Sequence, residues 1–199
     1  MNFIALIDAG GANLGSVRYA LERLGVAPRI VRDAGQLAGA DRIVLPGVGA
    51  AAPAMAALRE RGLDAALREA QVPVLGICLG MQLLYESSEE GDTACLGAIP
   101  GRVRRMVPAP GVRIPHMGWN ALSDIVADPL LAGVGDGDGA YFVHGYAAPV
   151  DADTLAVAEH GERFSAVVRR GLYCGAQFHP ERSADCGAQL LRNFLGWRP

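Results

Sequence analysis

The chain has 199 residues, of which 20% are charged and 51% apolar, and its formal charge is −3. That length supports one domain with a sizeable core, spanning 1–199, and the apolar share excludes a disordered chain. The slight acidic balance offers no footprint for nucleic acid or an anionic membrane, and no apolar run approaches the roughly 20 residues of a membrane helix. All 18 basic residues are arginine, which excludes any mechanism built on a catalytic lysine. Cysteines occur at 78, 95, 174 and 186 without a C-x-x-C pair, and Met1-Asn2-Phe3 runs straight into an apolar segment with no leader pattern. Together these predict a reduced, cytoplasmic protein.

Phe3 to Ile7 reads as a buried strand closed by a turn at Asp8-Ala9-Gly10-Gly11. Leu14, Val17, Leu21 and Leu24 recur at helical spacing, with Gly25 placed to stop the helix. Further strands are expected over 27–31 and 42–45. The alanine-rich stretch 50–70 is expected to be helical with a break at Gly62, a strand over 72–77 follows, and a helix resumes over 79–85. This alternation predicts a parallel sheet covered by helices on both faces. The second half is richer in strands, expected around 102–106, 141–143, 154–158, 166–170 and 172–177, before a last helix at about 188–195. The run Gly133 to Gly139 reads as a solvated loop.

The strongest chemical signal is Val74-Leu75-Gly76-Ile77-Cys78-Leu79-Gly80-Met81-Gln82. A strand arrives, turns abruptly at a cysteine and becomes a helix, with glycines two residues to either side. This is the thiol counterpart of the nucleophile elbow, where side chains beside the nucleophile would clash with strand and helix. A sulfur at a helix start is also favoured as thiolate. Cys95, Cys174 and Cys186 lack that setting and read as structural.

A thiolate nucleophile needs a proton carrier for its leaving group. His179 lies just past an expected strand in Gln177-Phe178-His179-Pro180-Glu181. Pro180 biases His179 towards an extended backbone, so Glu181, two residues on, points the same way and can fix the imidazole tautomer. Cys78, His179 and Glu181 are therefore the candidate catalytic triad.

These two segments resemble the class I, or triad, glutamine amidotransferases. Within that family, Pro46-Gly47-Val48-Gly49, Pro115-His116-Met117-Gly118-Trp119-Asn120, Tyr141-Phe142-Val143-His144 and Leu190-Leu191-Arg192-Asn193-Phe194-Leu195 resemble the glutaminase branch that serves imidazole glycerol phosphate synthase in histidine biosynthesis. The resemblance spans nearly the whole chain. It implies a flavodoxin-like α/β domain, with a mostly parallel central sheet flanked by helices and extra strands in the C-terminal half. It implies hydrolysis of glutamine through a thioester, and delivery of ammonia to a separate cyclase chain built as a (β/α)8 barrel. That heterodimer would make imidazole glycerol phosphate and aminoimidazole carboxamide ribotide.

The resemblance also assigns further residues. Gly80 and Gln82 would hold glutamine, with backbone groups of His144, Gly145 and Tyr146 at its carboxylate and ammonium ends. Gly47, Val48 and Gly49 would complete an oxyanion hole with the Leu79 amide. Asn13, His116, Trp119, Tyr141 and Arg182 would lie near the subunit interface, although Asn13 also suits a helix cap and His116 and Trp119 suit a core. Two positions depart from the family pattern: Gly145 stands where a small hydroxyl residue is expected, and Arg182 where lysine is expected.

Rival readings are a glutaminase for a nine-carbon-sugar or anthranilate-type synthase, a cysteine hydrolase on the same fold, and a binding subunit with a decayed site. Gly47 to Ala52 formally fits a dinucleotide fingerprint but follows the wrong strand. His160, between Glu159 and Gly161, reads as a solvated turn residue. The histidines show no metal spacing, so neither metal nor cofactor is expected.

Overall fold

The computed structural model describes residues 3–10 and 13–198; Gly11 of the expected first turn lies outside them. Strand β1 (Phe3–Ile7) leads through helix α1 (Leu14–Arg23) to β2 (Arg29–Val31) and β3 (Ala40–Gly47). Helices α2 (Ala51–Glu60) and α3 (Leu63–Arg68) precede β4 (Val74–Cys78), and α4 (Leu79–Leu83) starts with no residue between. There follow β5 (Tyr85–Ser88), β6 (Thr93–Ala94), β7 (Ile99–Arg105), β8 (His116–Ala121), β9 (Gly139–His144) and β10 (Tyr146–Ala147). Strands β11 (Thr154–His160), β12 (Glu162–Arg170) and β13 (Tyr173–Ala176) lead to the final helix α5 (Ala184–Gly196).

The central sheet has the order β11-β12-β13-β4-β3-β1-β2. Its five strands from β13 to β2 run parallel, and β11 and β12 extend it as an antiparallel hairpin. Two smaller sheets, β10-β7-β5-β6 and β8-β9, carry the extra strands of the second half.

The parallel strands are buried on both faces because their side chains alternate between two cores. Leu6, Val44, Leu75 and Ile77 face a cluster that includes Val17 and Leu21 of α1 and Leu190, Leu191 and Phe194 of α5. Ala5, Ile7, Ile43, Leu45 and Val74 face the other, built on Met55 and Leu58 of α2 and Leu63 and Leu67 of α3. Helices α2 and α3 part at Gly62, whose backbone is left-handed (φ 66°), a conformation glycine adopts without strain.

The expected helix over 79–85 is a correction. It ends at Leu83, and Tyr85 begins β5. The reason is competition for backbone groups: Leu96 donates to the Leu83 carbonyl and Ile99 to that of Leu84, so the chain is drawn into a sheet after one and a half turns. The block at 116–121 is also a strand, which its glycine and mixed polarity did not announce. Among the described residues, no helix is long and apolar enough to cross a membrane.

Candidate active site

Parallel pairing assembles the site. Strand β13 pairs with β4 so that Ala176 lies opposite Ile77, and β3 pairs with β4 so that Gly47 lies opposite Cys78. The carboxyl ends of three adjacent strands therefore bring together the elbow cysteine, the segment carrying His179, and the Gly47-Val48-Gly49 turn, although they are far apart in sequence. This is where open parallel sheets place their ligands.

Cys78 itself holds φ 54° and ψ −112°, outside the regions open to side-chain-bearing residues. The flanking glycines are required by contact. A β-carbon on Gly76 would stand 2.5 Å from the Gly80 carbonyl oxygen, and one on Gly80 would stand 1.8 Å from that of Leu45. Helix α4 thus presses directly onto β3 and β4, and the sulfur is held at the helix start.

His179 and Glu181 meet as their spacing predicts: Nδ1 of His179 donates to Oε1 of Glu181 at 2.8 Å. The same oxygen accepts from Nδ2 of Asn13 at 2.6 Å. Asn13 thus makes no side-chain cap for α1. It steadies the carboxylate that steadies the imidazole, a role assigned to it by neither the cap nor the interface reading. Burial disfavours the charged imidazole of His179, but hydrogen bonds and charge from the Cys78 sulfur and the Glu181 carboxylate outweigh it, raising the pKa to about 10. Burial likewise works against the Glu181 carboxylate, and His179 and Asn13 reverse it, holding its pKa below the ordinary value.

Cys78 and His179 open onto one cavity of about 270 Å³, with Val48, Gly49, Leu79, Gln82, His144, Gly145 and Tyr146 in its wall. Gln82 is fixed within it: its Nε2 donates to the Tyr146 carbonyl at 2.8 Å and to Oε1 of Gln177 at 2.9 Å. Gly47 and Gly80 are not in the cavity wall. They face each other behind the elbow, where a β-carbon on Gly47 would come within 2.8 Å of the Gly80 nitrogen. Having no side chains, they allow close packing, with neighbouring Leu79 and Gln82 in the cavity wall.

The Tyr146 carbonyl already accepts from Gln82 and from Nδ1 of His144, so both its lone pairs are taken. Its backbone oxygen is not free for an ammonium group. A carboxylate that local sequence did not single out also lines the cavity: Glu90, whose Oε2 accepts from the Ala51 amide at the start of α2 at 2.8 Å. In the sequence it sits in an ordinary acidic turn, and only the fold turns it inward.

Trp119, Tyr141 and Arg182 share a surface beside the site. The Trp119 and Tyr141 rings meet edge to face at 5.9 Å, and the Arg182 guanidinium lies 5.9 Å from the Tyr141 ring centre. The Tyr141 carbonyl accepts from the His179 amide, so this surface abuts the candidate triad directly. His116 is not part of it. It is 3% exposed, because β8 alternates and turns His116 inward while Met117 and Trp119, 65% and 59% exposed, face out. His160 differs from expectation too: it closes the β11–β12 hairpin, but its ring stacks on His116 at 4.1 Å. Among the described residues, no cluster of His, Cys, Asp and Glu has the geometry of a metal site.

A family model described as "Glutamine amidotransferase class-I" matches residues 5–196. Among curated proteins, the chain is 67% identical over 195 residues to "Imidazole glycerol phosphate synthase subunit HisH" of Xanthomonas axonopodis pv. citri (strain 306), covering 98% of each chain. It is 63% identical, with the same coverage, to the protein so described from Xylella fastidiosa (strain Temecula1). Among solved structures, a glutamine amidotransferase superposes with a TM-score of 0.76 at 22% identity over 96% of both chains. A putative GMP synthase subunit from Thermoplasma acidophilum superposes with a TM-score of 0.73 at 24% identity, over 98% of this chain and 93% of its own. At those identities the superpositions speak for the fold alone.

Proposed function

The chain belongs to the class I glutamine amidotransferase family, and from that membership we propose that it works as the glutaminase subunit of an imidazole glycerol phosphate synthase. It hydrolyses glutamine to glutamate and passes the ammonia to a cyclase chain, which makes imidazole glycerol phosphate and aminoimidazole carboxamide ribotide. The observation that carries this reading is likeness to curated subunits of that synthase along nearly the entire chain.

In this reading residues 1–199 form one cytoplasmic glutaminase domain. The partner in this reading is a cyclase built as a (β/α)8 barrel of about 250 residues. The partner docks on the surface formed by Trp119, Tyr141 and Arg182, with exposed Met117 alongside.

Glutamine enters the cavity with its ammonium end towards Glu90 and its amide against Cys78. The thiolate attacks the amide carbon, forming a C–S bond. The resulting oxyanion is met by the Leu79 amide and by an amide of the Val48–Gly49 turn; a preset donor of this kind is worth ~3–4 kcal/mol in the transition state. His179, oriented by Glu181 and through it by Asn13, gives its proton to the departing nitrogen, and ammonia leaves as the C–N bond breaks. A water molecule, deprotonated by the same imidazole, attacks the thioester. Glutamate departs and the thiol is restored. Of the two departures from the family pattern, Gly145 is the one beside the cavity; a β-carbon there would stand 3.7 Å from Ile114, so a small hydroxyl side chain is sterically acceptable but not supplied.

The test mixes the protein with a histidine-pathway cyclase and its ribotide substrate and measures glutamate release. Wild type should turn over many times faster in the complex than alone, because the partner turns the Val48–Gly49 amide towards the oxyanion. Cys78→Ser should lose at least about a thousandfold. Equal turnover with and without the cyclase rejects the coupling, and an undiminished Cys78→Ser rejects the nucleophile.

A further inference from the structure

Three of the four histidines take no part in the chemistry above, yet they form a connected group that runs inward from His144 in the cavity wall. His144 Nδ1 lies 2.9 Å from the Tyr146 carbonyl, which can only accept, so Nδ1 carries the proton. His144 Nε2 is then a bare acceptor, and it faces Nδ1 of His116 at 3.1 Å, which must therefore be the donor. His116 Nε2 is left as an acceptor towards Nδ2 of Asn120 at 3.4 Å, and Asn120 also donates to the Glu159 carbonyl at 2.8 Å. Every proton in the row is thus fixed in one direction, ending on the carbonyl that also holds Gln82.

The row is rigid as well as directed. The His116 ring lies between Phe142 at 4.9 Å and His160 at 4.1 Å, stacked on both. His160 is itself held by donation from Nε2 to the Arg113 carbonyl at 2.8 Å. Both buried imidazoles are neutral near pH 7: desolvation pushes His116 down to about 4 and His144 down to about 3. A charged ring in either place would present two donors and break the order.

We infer that His116 is a positioning residue for the substrate cavity: its Nδ1–H fixes the His144 tautomer, and His144 in turn fixes the Tyr146 carbonyl on which Gln82 is oriented. The role rests on the glutaminase reading, since it concerns how that substrate is held. The residues it serves bind and do not react, so its loss acts on substrate affinity and leaves the chemical step alone.

Two variants and one spectroscopic measurement test this in the complex with the cyclase. His116→Phe keeps the ring stack and removes the donor; it should raise KM for glutamine about five- to tenfold while kcat stays within about twofold. His116→Asn keeps a donor near the position of Nδ1 and removes the ring, and should bring KM most of the way back. An unchanged KM in His116→Phe, a fall in kcat in its place, or a His116→Asn no better than His116→Phe would overturn the inference. Nitrogen-15 shifts of wild-type His144 should report protonation at Nδ1 and a bare Nε2; the opposite tautomer overturns it whether or not the variants fold. A wild-type complex without glutaminase activity would instead sink the parent reading, with the tautomer measurement still able to decide the row.

Discussion

Residue 181 shows how few groups hold the imidazole in place. Glu181 sits between His179 and Asn13, and one of its oxygens accepts from both. The pH dependence of stability follows from the two shifts. His179 is raised above its ordinary 6.5, so its contribution is complete below 6.5 and is lost as pH rises through about 10. Glu181 is depressed below its ordinary 4.5, so its contribution is complete above 4.5 and is lost as pH falls below it. The thermal stability advantage of wild type over Glu181→Gln should therefore peak between pH 4.5 and 6.5 and shrink steadily towards pH 10. Melting curves of both proteins across that range check it; an advantage that grows with alkalinity would contradict the assigned pair. At this scale Cys78, His179 and Glu181 were legible because each carries its evidence within a few neighbours: two glycines, a proline, a spacing of two. Asn13 and Glu90 were not, because what defines them is a contact made across the fold with a residue distant in sequence. His116 kept two readings, core and interface, because only strand parity says which way the ring points, and it turns the ring into the core.

Elements were legible where hydrophobic period and termini agreed. The β1-α1-β2 start, the break at Gly62 and the strand into Cys78 follow from local pattern, and the main sheet from their alternation. The failures lie where tertiary pairing overrode local pattern, as at Leu83 to Tyr85, where later strands capture the backbone of a helix already under way. The end of the chain depends on a similar long-range tie. Arg42 of β3 donates from Nε to the Phe194 carbonyl at 3.0 Å and from Nη2 to that of Trp197, closing the C-terminus of α5 with a positive charge. Removing it in Arg42→Ala should cost about 1–2 kcal/mol, readable in urea unfolding. Amide exchange should quicken in the last turn of α5 and stay unchanged in α2. Exchange unaltered in that turn would show that the cap contributes nothing.

For the molecule as a whole, the candidate site and the proposed docking face share a boundary. The Tyr141 carbonyl accepts from the His179 amide, and the Tyr141 amide donates to the Ser183 hydroxyl at 2.9 Å. A chain pressed against Tyr141 would therefore bear on the backbone that carries the proposed catalytic imidazole. Trp119 is the large exposed aromatic of this face, the kind of residue that dominates binding energy. Trp119→Ala should weaken assembly with the cyclase at least about tenfold without lowering the melting temperature of the isolated subunit, as titration calorimetry and a melting curve would show. Unaltered affinity would move the interface elsewhere.

The backbone at Cys78 carries a consequence for how this protein compromises. A chain selected only to persist folded would place glycine at residue 78, since nothing but hydrogen sits comfortably at those dihedral angles. Keeping a sulfur-bearing carbon there leaves the native state permanently short of the robustness its own sheet could reach. Reactivity and durability are in direct opposition at a single atom, and the packed strands on either side are what make that opposition survivable.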